Sequence, residues 1–366
     1  MSVRLLHIAD AHLGASCAFL GERAGEHRAR LEAALERAMR TAKERQCDLV
    51  LIAGDLFESP RPSERLLQQT MRVLASLGRP VCIIPGTHDL KQGRSPYAVS
   101  DWRARCPNVR LLASAELMSV EFPDLGVVVH GGAAPRGESP LRGLKRDERF
   151  RWNIALAHGG LLGELVTDEG QPIEREKIAA SGMDYVALGH WHGWRQWAEG
   201  PTVACYPGAL EPMAFDQKNT GCAALVTLAE SVTVEQVRVG SARAGALELK
   251  VDGFASADDL AQAIAARADA ELLLQVTLSG LLPEGWSLNA GDMAQACGAG
   301  LAALEVIDLV ERWVPEERAT AQEGIAAMLR QEAQRLMNEA SEEEQRRRIG
   351  EALRLGLAAL QGLEVV

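Results

Sequence analysis

"DLVLIAGD", residues 48–55, places five apolar residues in a row between an aspartate and a Gly-Asp pair. An uninterrupted apolar run of this length reads as a strand buried on both faces, and such strands belong to sheets covered by helices. "VRLLHIAD" (3–10) and "PVCIIPG" (80–86) repeat the form. Between them lie stretches of helical periodicity, about 24–45, with Leu31, Leu35, Ala38 and Met39 on one stripe, and about 62–78. Later strand candidates crowd closer: "VRLLAS" (109–114), "LGVVVHGG" (125–132), "NIALAHG" (153–159), "YVALGH" (185–190), "TVACYPG" (202–208), "CAALVTLA" (222–229) and "SVTVEQVRV" (231–239). Short connections of that kind make part of the sheet system antiparallel. The expected fold is α/β, a four-layer αββα sandwich of two stacked sheets with outer helices over residues 1–240.

From about residue 245 the rhythm changes. "LELKVDG", a helix near 257–268, "ELLLQVTLSG", a helix near 290–300 and "LEVIDLVERW" make a small α+β domain over 245–314. Residues 315–366 read as a helical hairpin. Ile325, Met328, Leu329, Ala333, Leu336, Met337 and Ala340 form one apolar stripe; Ile349, Ala352, Leu353, Leu357 and Leu360 form the other. Ser341 with Glu344 reads as a capping box, and Glu342, Glu343 and Glu344 meet Arg346, Arg347 and Arg348 at i,i+4.

The 366 residues are 47% hydrophobic and 24% charged, the balance of a globular protein. No apolar run approaches the ~20 residues of a membrane helix, and the N-terminus lacks a signal-peptide cleavage pattern. A cytoplasmic protein is expected. The seven cysteines are scattered and never spaced C-x-x-C, which excludes a zinc ribbon and fits reduced, buried thiols. The net charge of −11 is uneven: residues 1–240 hold 28 basic and 29 acidic residues, residues 241–366 hold 11 and 21. That argues against nucleic-acid affinity through a generally basic surface, although bound cations can reverse the field at one site.

The strands share an ending. The first runs into Asp10 and His12, the second into Gly54-Asp55, the third into Thr87-His88-Asp89. Others run into His158 and into His190 and His192. Open α/β sheets bind ligands at the carboxyl ends of their strands. Residues two apart face one side of an extended chain, so Asp10 with His12, and His190 with His192, can each grip one ion. Any one histidine is more often a satisfied core or surface residue, but five of eight fall in these positions. Asp and His donors together suit Mn2+, Fe2+ or Zn2+. His7, His27 and His130 fall outside the pattern and read as structural.

"HIADAHLG", "AGDLFES", "PGTHD", "ALAHGG" and "LGHWHG", in this order, resemble the signature blocks of the calcineurin-like metallophosphoesterases. The "ADAHLG" and "GDLF" forms are similar to the SbcD-type DNA-repair exonucleases and YhaO-like proteins. That resemblance implies a hydrolase with two divalent metal ions, most naturally Mn2+. Asp10, His12, Asp55 and His192 would hold one; Asp55, His158, His190 and Thr87 the other. Two ions about 3.5–4 Å apart clamp a phosphodiester and acidify the attacking water. His88 would be the catalytic acid, oriented by Asp89. It also implies DNA as substrate, an SMC-like ATPase partner of the SbcC or YhaN kind docked on the terminal helices, and a homodimer. The chain departs from the family at Thr87, where the family carries an asparagine amide. A hydroxyl is a weaker neutral donor, so a looser second ion and a slower nuclease are expected.

Arg136, Arg142, Lys145, Arg146, Arg149 and Arg151 lie close together and can track a DNA backbone or serve as a solvated face. Trp191, Trp194 and Trp197 can stack bases or pack on a neighbouring strand. Two other functions use the same blocks: a phosphodiesterase on cyclic or small nucleotides, and a catalytically weakened scaffold.

Overall fold

The computed structural model describes residues 2–90, 95–99, 101–163, 170–283, 286–312, 323–340 and 343–360. In chain order the strands are β1 (Val3–Ile8), β2 (Leu49–Ala53), β3 (Val81–Ile84), β4 (Val109–Leu111), β5 (Met118–Phe122), β6 (Val127–Gly131), β7 (Trp152–His158), β8 (Gly160–Leu161), β9 (Pro172–Ile173), β10 (Tyr185–Gly189), β11 (Arg195–Glu199), β12 (Thr202–Tyr206), β13 (Cys222–Leu228) and β14 (Val232–Arg238). Three more follow: β15 (Arg243–Lys250), β16 (Asp269–Ser279) and β17 (Leu301–Asp308). The helices are α1 (Ala24–Glu44), α2 (Glu64–Ala75), α3 (Pro96–Val99), α4 (Trp102–Arg105), α5 (Arg175–Ala180), α6 (Ala257–Ala265), α7 (Ala290–Cys297), α8 (Glu323–Glu339) and α9 (Glu343–Leu360).

Two six-stranded sheets form the body, ordered β14-β13-β1-β2-β3-β4 and β11-β12-β10-β7-β6-β5. β1 to β4 run parallel, as do β6, β7, β10 and β12; β13, β14, β11 and β5 pair antiparallel. The continuous apolar runs are explained by period-2 alternation with both faces buried. Leu6, Ile8, Val50 and Ile52 pack against the apolar stripes of α1 and α2. Their alternates Leu5, Leu49, Leu51 and Ala53 pack between the sheets against Ile154, Leu156 and Ala187. The layer over the second sheet is thin. Ile178 of α5 and Leu141 cover Ala155, Ala157, Val186 and Leu188 there.

Contacts divide the chain into two units, residues 1–280 with 286–309, and 281–285 with 310–366. The first includes the parallel sheet β15-β16-β17 with α6 and α7. Leu273 and Ala303 of that sheet bury against Phe215 and Ala242. Arg30 donates to the Ala270 carbonyl at 2.9 Å, and Arg23 to those of Leu301 and Ala302. In the second unit α8 lies against α9, with Leu329 beside Gly356. Ser341 of the expected capping box and Glu342 of the expected i,i+4 pairs lie outside the described residues. No described helix is long and apolar enough to cross a membrane.

Candidate metal centre

The loops that leave β1 and β2 are zipped together. Asp10 N donates to Gly54 O at 3.1 Å, His12 N to Asp55 O at 3.0 Å and Leu13 N to Leu56 O at 3.0 Å. Among the described residues seven non-glycines have positive φ, and four of them are Asp10 (51°), His12 (43°), Asp55 (49°) and His190 (104°). Backbone strain therefore concentrates where the strands end. Two glycines let the loops close this tightly. A Cβ on Gly54 would stand 2.3 Å from His158 Nδ1, and one on Gly86 2.2 Å from Asp55 Oδ1.

The carboxylates are oriented by backbone donors. Both oxygens of Asp10 accept from His190 N at 3.0 Å. Asp55 Oδ1 accepts from His88 N at 2.8 Å, and Oδ2 from the Thr87 hydroxyl at 3.3 Å. Two of the imidazoles, His12 and His158, are held by their Nδ1 edges, which assigns the proton there. His12 Nδ1 donates to Glu58 Oε2 at 2.8 Å, and His158 Nδ1 to the Ala53 carbonyl at 2.8 Å. Their Nε2 lone pairs then face inward. His12 Nε2 meets His192 Nε2 at 3.1 Å, and His158 Nε2 stands 3.2 Å from Asp55 Oδ2 without hydrogen-bond geometry. Three overlapping sets, Asp10–His12–His192, His12–Asp55–His88 and Asp10–Asp55–His158, bring donor atoms within 4.8 Å of one another. The His190 ring lies 5.3 Å from that of His158.

Burial and close charges shift several members. Burial raises Asp10 to about 7. For Asp55 burial pulls upward, yet the neighbouring His158, His12 and His88 hold it below the ordinary range. Burial lowers His190 and His192 to about 4, so their nitrogens remain lone-pair donors. The Glu58 hydrogen bond raises His88 to about 9.

Residues 3–194 match the family model for calcineurin-like phosphoesterases. The chain belongs to that family. The DNA double-strand break repair protein Mre11 of Aeropyrum pernix is 31% identical over 259 residues, 64% of this chain and 61% of that protein. The uncharacterized metallophosphoesterase YhaO of Bacillus subtilis is 27% identical over 229 residues, 59% of this chain and 54% of that protein. This chain thus spans less than two thirds of either relative. The crystal structure of TT1561 of Thermus thermophilus superposes with a TM-score of 0.43 at 14% identity, over 65% of this chain and all of that one.

Calcineurin-like phosphoesterases hydrolyse phosphoesters with divalent metal, and the donor set here fits a cation. His158 Nε2 and His192 Nδ1 are buried with no hydrogen-bond partner among the described residues. A buried unpaired nitrogen is costly unless something binds it.

Asp89 corrects the sequence reading. It does not orient His88. Its Oδ1 accepts from Gly86 N at 2.6 Å, and its Oδ2 from Leu56 N at 2.9 Å and the Tyr97 hydroxyl at 2.7 Å. It clamps the loop after β3 to the loop after β2. Glu58 takes the role expected of Asp89: Oε1 pairs with His88 Nδ1 at 3.2 Å while Oε2 holds His12. Its signal was the acid three residues after Asp55 in "GDLFES", legible only once that loop turns back on the site.

Four of the six basic residues of segment 136–151 have named partners within the fold. Arg146 binds Asp184 at 3.0 Å and the Gly182 and Arg151 carbonyls, and Arg149 binds Asp147 and Glu121. Arg142 binds Glu138 and the Ala115 carbonyl, and Arg151 the Ala229 carbonyl. Arg136 and Lys145 are exposed. Trp197 stacks on Tyr206, and Trp194 packs between the sheets, whereas Trp191 is 38% exposed. His7, His27 and His130 bond Tyr185, the Pro212 carbonyl and Ser119.

Proposed function

We propose that this chain is a Mn2+-dependent phosphodiesterase that hydrolyses DNA, an exonuclease or endonuclease subunit of a repair complex. One observation carries the reading: the lone pairs of His12 and His158 and the carboxylates of Asp10 and Asp55 converge, each fixed from behind, with the His192 ring beside them. Asp10, His12, Asp55 and His192 would hold one ion, and Asp55, His158, His190 and Thr87 a second. The ions supply Lewis-acid polarisation of the phosphoryl oxygens and a more acidic attacking water. The chain supplies the rest. Glu58 keeps His88 protonated, so its Nε2–H faces the substrate as a donor to the leaving oxygen. The similarity to Mre11 supports DNA as the substrate. The exposed Met328, Leu336 and Leu355 on α8 and α9 support docking on an SMC-like ATPase, with β15 to β17 as a capping domain and the whole as a homodimer.

Purified protein with Mn2+ is offered labelled single- and double-stranded DNA and cyclic nucleotides, with H88A as the blank. DNA cleavage lost in H88A is the expected result. Hydrolysis of cyclic nucleotides alone would assign the site to small substrates. The Thr87 hydroxyl directs its proton at Asp55, so it offers a cation less than an amide oxygen does. T87N is expected to tighten the weaker Mn2+ site and raise the rate several-fold; unchanged Mn2+ titration and rate would remove Thr87 from the account.

A further inference from the structure

The loop after β10 carries one residue that the cluster does not use. Trp191 stands between His190 and His192, one Cα step of about 3.8 Å from each. Trp102 and Trp152 are buried at 3% and 7%, whereas Trp191 leaves 38% of its surface in solvent. A large aromatic left open between two ligand candidates leaves an apolar surface available to whatever the site binds.

The indole is seated, not loose. A Cβ on Gly193 would meet the Trp191 Nε1 and the Lys218 carbonyl, each at 3.1 Å, so the glycine makes room for the ring's edge. The neighbouring backbone is tied down. Trp194 N donates to Asn219 O at 2.8 Å and Ala209 N to His192 O at 2.9 Å. Lys218 on that facing loop is exposed. An open aromatic face with a lysine on the facing loop suits an unpaired base and its phosphate.

We propose that Trp191 is a stacking platform for an unpaired nucleobase of the DNA strand whose phosphodiester lies at the cluster. The inference rests on the DNA reading above and adds that the site engages the strand locally unpaired. It makes Trp191 a specificity-determining residue, with His88 and the ligands unchanged by its removal.

Binding of a single-stranded phosphorothioate oligonucleotide in Mn2+ is measured by fluorescence anisotropy for the wild type, W191F and W191L. The same strand with one abasic residue is scanned along its length. W191L is expected to weaken binding about tenfold, the loss of one stacked base, while W191F stays within about threefold of wild type. The penalty for the abasic residue should peak at one position in the wild type and vanish in W191L. Mn2+ titration should be the same in all three, which shows that the cluster is intact. Equal affinity of wild type and W191L for the natural strand, or an abasic penalty that survives in W191L, overturns the platform while leaving the nuclease reading standing. A wild type that binds no DNA overturns both.

Discussion

The strand-end cluster and the basic segment 136–151 are both dense in charge, but the chain uses them in opposite ways. In the cluster, Asp10, Asp55 and His158 are almost wholly buried, and His158 Nε2 has no hydrogen-bond partner among the described residues. In the segment, Arg142, Arg146, Arg149 and Arg151 sit nearer the solvent and find carboxylates or carbonyls close by. Exposed charges satisfy themselves cheaply in water, whereas a buried group left unsatisfied is expensive and persists only with a reason. Buried donor atoms converging on one point, more than charge density, mark the candidate site.

Four substitutions test that contrast. D55A, which removes the carboxylate shared by two donor sets, is expected to cut the rate at least ~10³-fold and to lower Mn2+ occupancy by calorimetry. A D55A protein with wild-type Mn2+ binding would place the ions elsewhere. D89A should act on stability first. It strands the Leu56 and Gly86 amides and the Tyr97 hydroxyl, a loss of roughly 3 kcal/mol in denaturant unfolding. A D89A protein as stable as wild type but slow would return Asp89 to the chemistry. E58Q keeps one hydrogen bond and loses the charge behind His12 and His88. A rate lower by about 10–100-fold is expected with the fold intact, visible as altered kcat against a small effect on KM. R146A is the smallest: about 1 kcal/mol of stability and no change in rate. A rate loss in R146A without destabilisation would return that arginine to substrate binding.

Much of the fold was legible because it follows from local rules. β1, β2 and β3 announced themselves as apolar runs, α1 and α2 as periodic stripes, and the ligand candidates as polar residues that end a strand. β16 and β17 were legible in the same way. The relations across the chain were not. Nothing in the local pattern says that β13 returns to pair with β1, with Leu225 opposite Leu6. Neighbours in sequence also misled: Asp89 follows His88 directly but turns inward, while Glu58, far off in sequence, reaches both His12 and His88. The partners of the arginine segment were not legible either, since composition records charges but not the carbonyls and carboxylates that meet them.

The Asp89 clamp has a consequence for motion. The Leu56 and Gly86 amides, from loops after two different strands, share one carboxylate. Either can exchange its hydrogen with solvent through the clamp only when that carboxylate lets go. Their exchange should therefore be correlated, with similar protection and a common response to denaturant, as for one cooperative opening unit. The two loops would breathe together, and the candidate ligands they carry would keep their mutual spacing until that unit opens.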